Sequence, residues 1–325
     1  MNNHTHSRAA VTIAVVGAIV CGALVATQSR INGELGRELG DGYLAAFLSF
    51  GSGFVILLIV ALAHGGTRRG VGLVVTAVRT GSMPWWYGVG GASGALFVLS
   101  QGLTAALLGV ALFTVATVTG QTLSGLLVDR RGMGTMLPKP VTAFRLVGAA
   151  LAVVAVVIAV SPQVQLGVAP WVLILPLLAG LGLGWQQAAN GQVREVSGSA
   201  LTATFFNFLV GTAVLGVVLL VHALAVGLPD RLVGSPWLYV GGIVGIVFVA
   251  GYAIVVRFTG VLLLGLGAIA GQLVASLMFD IALPVAGHPV AVSTVVGTLL
   301  TLVAVGIASI PRKPRATAPR GDAPA

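Results

Sequence analysis

The chain has 325 residues, of which 57% are hydrophobic and only 8% charged, with a net charge of +9 and a mean hydropathy of +1.04. Seventeen basic and eight acidic side chains cannot cover a water-soluble surface of this size, where about a quarter of residues are charged, so the solvent is lipid. At about 20 residues per crossing the length fits roughly ten helices and leaves no room for a sizeable soluble module.

In chain order, apolar windows predict crossings near residues 9–27, 43–63, 84–103, 105–128 and 142–160. A second set follows near 168–188, 200–224, 236–256, 259–282 and 289–310. The first run reads as a retained helix rather than a signal peptide, because no A-x-A site follows it and Val20 before Cys21 spoils a lipoprotein motif. Between Pro84 and Val128 no residue is charged, and one helix of that length would overshoot the bilayer about twofold. A tight turn near Gly102–Ala105 is therefore expected. Sorted onto the two faces, fourteen of the seventeen Lys and Arg fall on the side of the N-terminus. Retention of positive charge inside predicts an even number of spans with both termini cytoplasmic. The segments expected are a short N-terminus (1–8), two halves (9–160 and 161–310) and a disordered basic tail (311–325).

The two halves repeat. At an offset of 158, Gln28 meets Gln186, Asn32-Gly33 meets Asn190-Gly191, Gly40 meets Gly198, Phe50 meets Phe208 and His64 meets His222. Further on, Pro84-Trp85 meets Pro236-Trp237 at 152, and Gly120-Gln121 and Asp129 meet Gly271-Gln272 and Asp280 at 151. Five helices per half is an odd number, so the second half is expected upside down relative to the first, an inverted repeat with a site near the bilayer midplane. The fold class expected is all-α, a polytopic membrane protein of ten helices in a 5+5 inverted repeat.

The Asn-Gly step after helix one, the Pro-Trp start of helix three and the Gly-Gln in helix four resemble the drug/metabolite transporter superfamily. Within it, nearly the whole chain resembles the YdcZ-type branch of inner-membrane exporters in its fused, two-repeat form. The resemblance implies a ten-helix inner-membrane transporter with cytoplasmic termini and says little about substrate. A secondary-active exporter of a small metabolite or drug is the expectation. An importer or facilitator, and a non-transporting scaffold whose interior is filled by protein, stay open beside it.

No GxSxG, HExxH, Walker motif or carboxylate pair within a span occurs, so neither an enzyme nor an ATP-driven pump is expected. Cys21 is the only cysteine, and His4, His6, His64, His222 and His288 sit at a terminus or a predicted helix end, so no metal or other cofactor is expected. His64 and His222 leave interfacial packing and pH sensing open. Basic residues lie between apolar runs rather than in one patch with aromatics, which argues against nucleic acid. The partners expected are the lipid bilayer and an unidentified small solute; a homodimer stays open.

Amides inside apolar helices are the strongest site candidates, because an unpaired amide in hydrocarbon is costly and turns to a partner helix or a wet cavity. Gln121 and Gln272 fit best, each following a Gly that permits close approach, with interhelical bonding as the alternative. Gln101 and its repeat partner Tyr252 are expected on the cavity's wider wall. The steps Gln28, Asn32, Gly33 and Gln186, Asn190, Gly191 are expected to end helices one and six as paired gates or plain caps, with Trp185 beside the inner one. Asp280, acidic in an apolar context, and Glu34 are candidates for proton coupling. Amides and aromatics with few cations point to neutral or cationic amphipathic solutes, a reading that a cation at the site, such as Arg257, would overturn.

Overall fold

The computed structural model describes residues 8–131, 142–165, 168–284 and 290–310. The predicted tail, His4, His6 and His288 lie outside them, as do the side chains of Asp129 and Arg257. Among the described residues there are helices and no strand. In order they are α1 (Arg8–Leu39), α2 (Gly42–Ala63), α3 (Gly65–Arg79), α4 (Gly91–Ser100), α5 (Ala106–Leu108), α6 (Val110–Arg131), α7 (Ala143–Gln165), α8 (Pro170–Ser197), α9 (Ala200–Val226), α10 (Gly241–Ala282) and α11 (Val292–Ala308). Among the described residues eight helical stretches, the run Trp85–Leu108 counted as one, are long and apolar enough to cross a membrane. Two of the ten expected crossings fall instead on the shorter apolar stretches Gly241–Tyr252 and Val292–Ala308.

The same device ends the first helix of each half. Gly40 and Gly198 take φ of +65° and +66°, the left-handed conformation that glycine adopts without a Cβ penalty. The next residue caps the following helix: Asp41 accepts from the Tyr43 and Leu44 amides, and Ser199 accepts from the Thr202 amide. Both Asn-Gly steps therefore lie inside α1 and α8, correcting the expectation that they end those helices. A left-handed cap is already supplied about seven residues further on, and nothing between removes a backbone donor.

Two more boundaries differ from the sequence reading. The turn expected at Gly102–Ala105 is a π-helical widening, Gln101–Ala105, and the break comes at Gly109 with φ +82°. The predicted eighth and ninth spans are joined in α10, whose 42 residues amount to about 63 Å of helix; Arg257-Phe-Thr-Gly between them contains no proline to stop the hydrogen-bond ladder.

Helix α3 was not expected from hydropathy. Its buried residues Thr67, Gly70, Val74 and Ala77 recur at helical spacing, while Arg68, Arg69 and Arg79 are exposed. His64 starts it, its ring accepting from the Thr67 amide at 3.2 Å.

Packing crosses between the halves. Helix α1 lies along α10 and α8 lies along α6, while α2 pairs with α9. A Cβ on Gly22 would collide with the Ala268 carbonyl, and one on Gly180 with the Thr117 carbonyl, so both seams depend on bare backbone. These two contacts are equivalent under the repeat offsets of 158 and 151. Where α2 meets α9, Phe50 and Phe208, themselves repeat partners, stack with centroids 4.7 Å apart.

Candidate functional site

Helices α1, α2, α4, α6, α8, α9 and α10 surround a cavity of about 460 Å³, within the size range of small-molecule sites. Both crossed pairs, α1 with α10 and α8 with α6, contribute to its wall, and the stacked Phe50–Phe208 pair between α2 and α9 forms part of its lining. Phe50, Phe97, Phe208 and Phe248 supply its apolar wall, with Phe248 and Tyr252 edge to face at 5.7 Å.

Amides supply the polar wall. Gln121 from α6 and Gln272 from α10, the repeat-related pair favoured by sequence, both line the cavity. Gln272 is only 3% exposed, and its amide nitrogen has no partner. Since an orphaned buried donor costs about 1–3 kcal/mol, this nitrogen is poised for an acceptor. Gln28 and Gln186 also line the cavity and are braced from behind. Gln28 Nε2 donates to the Gly241 carbonyl at 2.9 Å, and Gln186 Nε2 donates to Asn207 Oδ1 at 2.6 Å.

One face of α8 extends the wall outward. Gln187, Asn190, Gly191 and Arg194 recur at helical spacing along it. Gln187 and Gly191 are exposed, and the cavity reaches Ala200 at the start of α9, so it opens toward the α8–α9 turn. The sequence reading singles out neither Arg194, one basic residue among fourteen on its face, nor Asn207 inside FFNFL. A search for polar residues spaced by a helical turn would have found the first. The second was visible as an amide within an apolar span.

The opposite end is sealed. Asn32 donates to Gln101 Oε1 at 2.7 Å, and Gln101 Nε2 donates to the Ser29 hydroxyl at 2.9 Å, all three side chains being buried. Gly33 abuts Ala105 and Gly36 abuts the Gly102 carbonyl. Gln101, the first residue of the π-helical turn, therefore sits in a packed network with α1 rather than on the cavity wall. Asn32 and Gly33 share that network. Asn190 and Gly191, their repeat partners, line the cavity, as does Tyr252, the partner of Gln101.

Trp185, Glu34 and Asp280 do not line the cavity. Trp185 is half-buried on another face of α8. Glu34 accepts from Arg37 one turn along α1. Asp280, 6% exposed, accepts from the Val110 and Ala111 amides at 2.9 and 2.8 Å. It caps α6 from a distance of 170 residues in sequence, just where Gly109 breaks the chain. Each of its oxygens accepts one backbone N–H, so the structure gives Asp280 a helix-capping place away from the cavity wall. His222 stacks on Tyr43 at 4.1 Å and lies 3.6 Å from Asp41, whereas His64 caps α3, so the two repeat-related histidines have different surroundings.

Among the described residues no group of His, Cys, Asp and Glu is arranged to hold a metal ion. A family model described as "Putative inner membrane exporter, YdcZ" matches residues 13–158 and again 171–307. A solved structure described only as "Crystal structure of protein" covers 93% of this chain and 98% of its own at 20% identity, with a TM-score of 0.52, which marks a shared fold. No curated protein matches the chain.

Proposed function

The chain belongs to the YdcZ family of inner-membrane exporters, a multi-pass membrane family that points to transport rather than catalysis, and from that membership we propose a secondary-active exporter. It moves a small metabolite or drug by alternating access through the cavity between its two halves. Ten crossings in a 5+5 inverted repeat, spanning 9–160 and 161–310, sit in the inner membrane with both termini cytoplasmic.

One contrast carries this reading. Asn32 and Asn190 are repeat partners, yet the first is locked to Gln101 and the second lines an open cavity. Two inverted halves give two nearly equivalent states, each open to one side, and this contrast is what one such state looks like at its two mouths. With fourteen of seventeen basic residues on the side of the N-terminus, the open mouth beside Arg194 faces the cytoplasm, where an exporter loads. A scaffold would join Gln121 to Gln272 in a filled interior; a cavity of about 460 Å³ with the Gln272 nitrogen unpartnered weighs against it.

The test compares extracellular metabolite profiles of cells carrying the wild type or Gln121→Ala with Gln272→Ala, at equal membrane abundance. A solute exported by the wild type and reduced at least tenfold in the double variant is the expected outcome. Profiles identical to those of empty cells would remove export, and normal export by the double variant would return the two amides to packing.

A further inference from the structure

We propose that the cavity binds an amphipathic organic monoanion, an aromatic or branched carboxylate, with its charge at Arg194 and its apolar body against the Phe50, Phe208 and Phe248 rings. The proposal rests on the transport reading above and specifies the chemistry of its cargo.

Charge decides the class. Among the described residues Arg194 is the only charged side chain on the cavity wall, no carboxylate lines it and none pairs with this guanidinium. An unbalanced cation beside a low-dielectric cavity raises the local concentration of anions and disfavours cations. The N-terminus of α9 adds to it. Ala200, its first residue, lines the same mouth, and the first-turn amides carry partial positive charge. Ser199 satisfies only the Thr202 amide among them.

Hydrogen-bonding capacity agrees. A guanidinium has five N–H donors and no acceptor, and its fork matches the two oxygens of a carboxylate. The unpartnered group deeper in the wall, Gln272 Nε2, is also a donor. Both ends of the site want acceptors, which an ammonium ligand lacks.

The rest of the wall sets the body. Four phenylalanines and Tyr252 surround the centre and offer flat apolar faces. One cation against that much aromatic surface suits a single negative charge on an apolar skeleton, whereas phosphate esters and dianions need several basic partners. The sequence-based leaning toward neutral or cationic solutes is thus reversed by one residue, whose place on the α8 face hydropathy does not reveal.

Three ligands of one skeleton test this: 4-phenylbutanoate, ionised at pH 7, 4-phenylbutanamide and 4-phenylbutylammonium. Binding to the full chain in lipid nanodiscs is measured by calorimetry. The carboxylate is expected to bind at least tenfold more tightly than the amide, and the ammonium most weakly. Arg194→Gln should equalise carboxylate and amide, while Arg194→Lys keeps the preference in reduced form. Equal binding of carboxylate and amide to the wild type, tightest binding of the ammonium, or no binding of any of the three would overturn the proposal, and none of these comparisons needs a variant to fold. Counterflow in proteoliposomes separates the two readings. Carboxylate that binds through Arg194 without being translocated supports the site and removes transport. Translocation of the ammonium but not the carboxylate supports transport and overturns the site.

Discussion

Asp280 shows how one side chain holds two distant elements in register. Gly109 leaves the amides of Val110 and Ala111 without intrahelical partners, and a carboxylate from α10 takes both. Asp280→Ala removes the acceptor and buries two orphan donors, so it should lower stability by about 2–3 kcal/mol. Asp280→Asn, which retains one acceptor oxygen, should cost about half as much. Thermal unfolding in detergent reads both, and an unchanged midpoint for Asp280→Ala would separate the carboxylate from the helix end. At this scale the sequence exposed the amides well. Gln121 and Gln272 stand out because a polar group in hydrocarbon is conspicuous. Arg194 did not, because a basic residue near a helix end has a ready topological explanation that says nothing about which face it occupies.

Among the elements, the small-residue seams do most to place the helices. A side chain at Gly22 or Gly180 meets the carbonyl of the opposing helix, and neither backbone can yield without moving the whole seam. Gly22→Val and Gly180→Val should each destabilise by about 1–3 kcal/mol, and by similar amounts because the two contacts are equivalent. Gly72 on α3 faces open space, so Gly72→Ala should be neutral or gain up to about 1 kcal/mol from helix propensity. Equal effects at all three positions would show that the seams are not close contacts. Hydropathy located the apolar stretches well but read their ends poorly. It registers where lipid is, and the ends here are set by Gly40, Gly109 and Gly198, whose backbone conformations leave no hydropathic trace. Helix α3 escaped for a related reason: Val74 is the one strongly apolar member of its buried face, and its three arginines pull the mean down.

For the whole molecule, the mirrored contacts make the two mouths comparable with one chemistry. Cys21 is buried, so single cysteines can be introduced without removing it. On the proposed orientation, Asn190→Cys should react with an impermeant maleimide applied to the cytoplasmic face, and Asn32→Cys should be silent from either face at rest. During turnover Asn32→Cys should gain at least fivefold in rate from the external face as Asn190→Cys loses reactivity. Labelling that is constant at both sites, with and without substrate, would point to a static protein.

The crossed packing also has a consequence for how the chain is made. Gly22 finds its partner at Ala268, about 250 residues later in synthesis. At roughly 5–20 residues per second, α1 waits in the membrane for some 10–50 s before the surface that covers its glycine face exists. During that interval a nascent chain has the same bare groove as every other nascent chain nearby. Correct pairing is then a contest between a tethered helix still to come and untethered copies already present. Crowding of ribosomes at one insertion site should therefore favour tangled dimers, and a slower supply of new chains should favour the monomer.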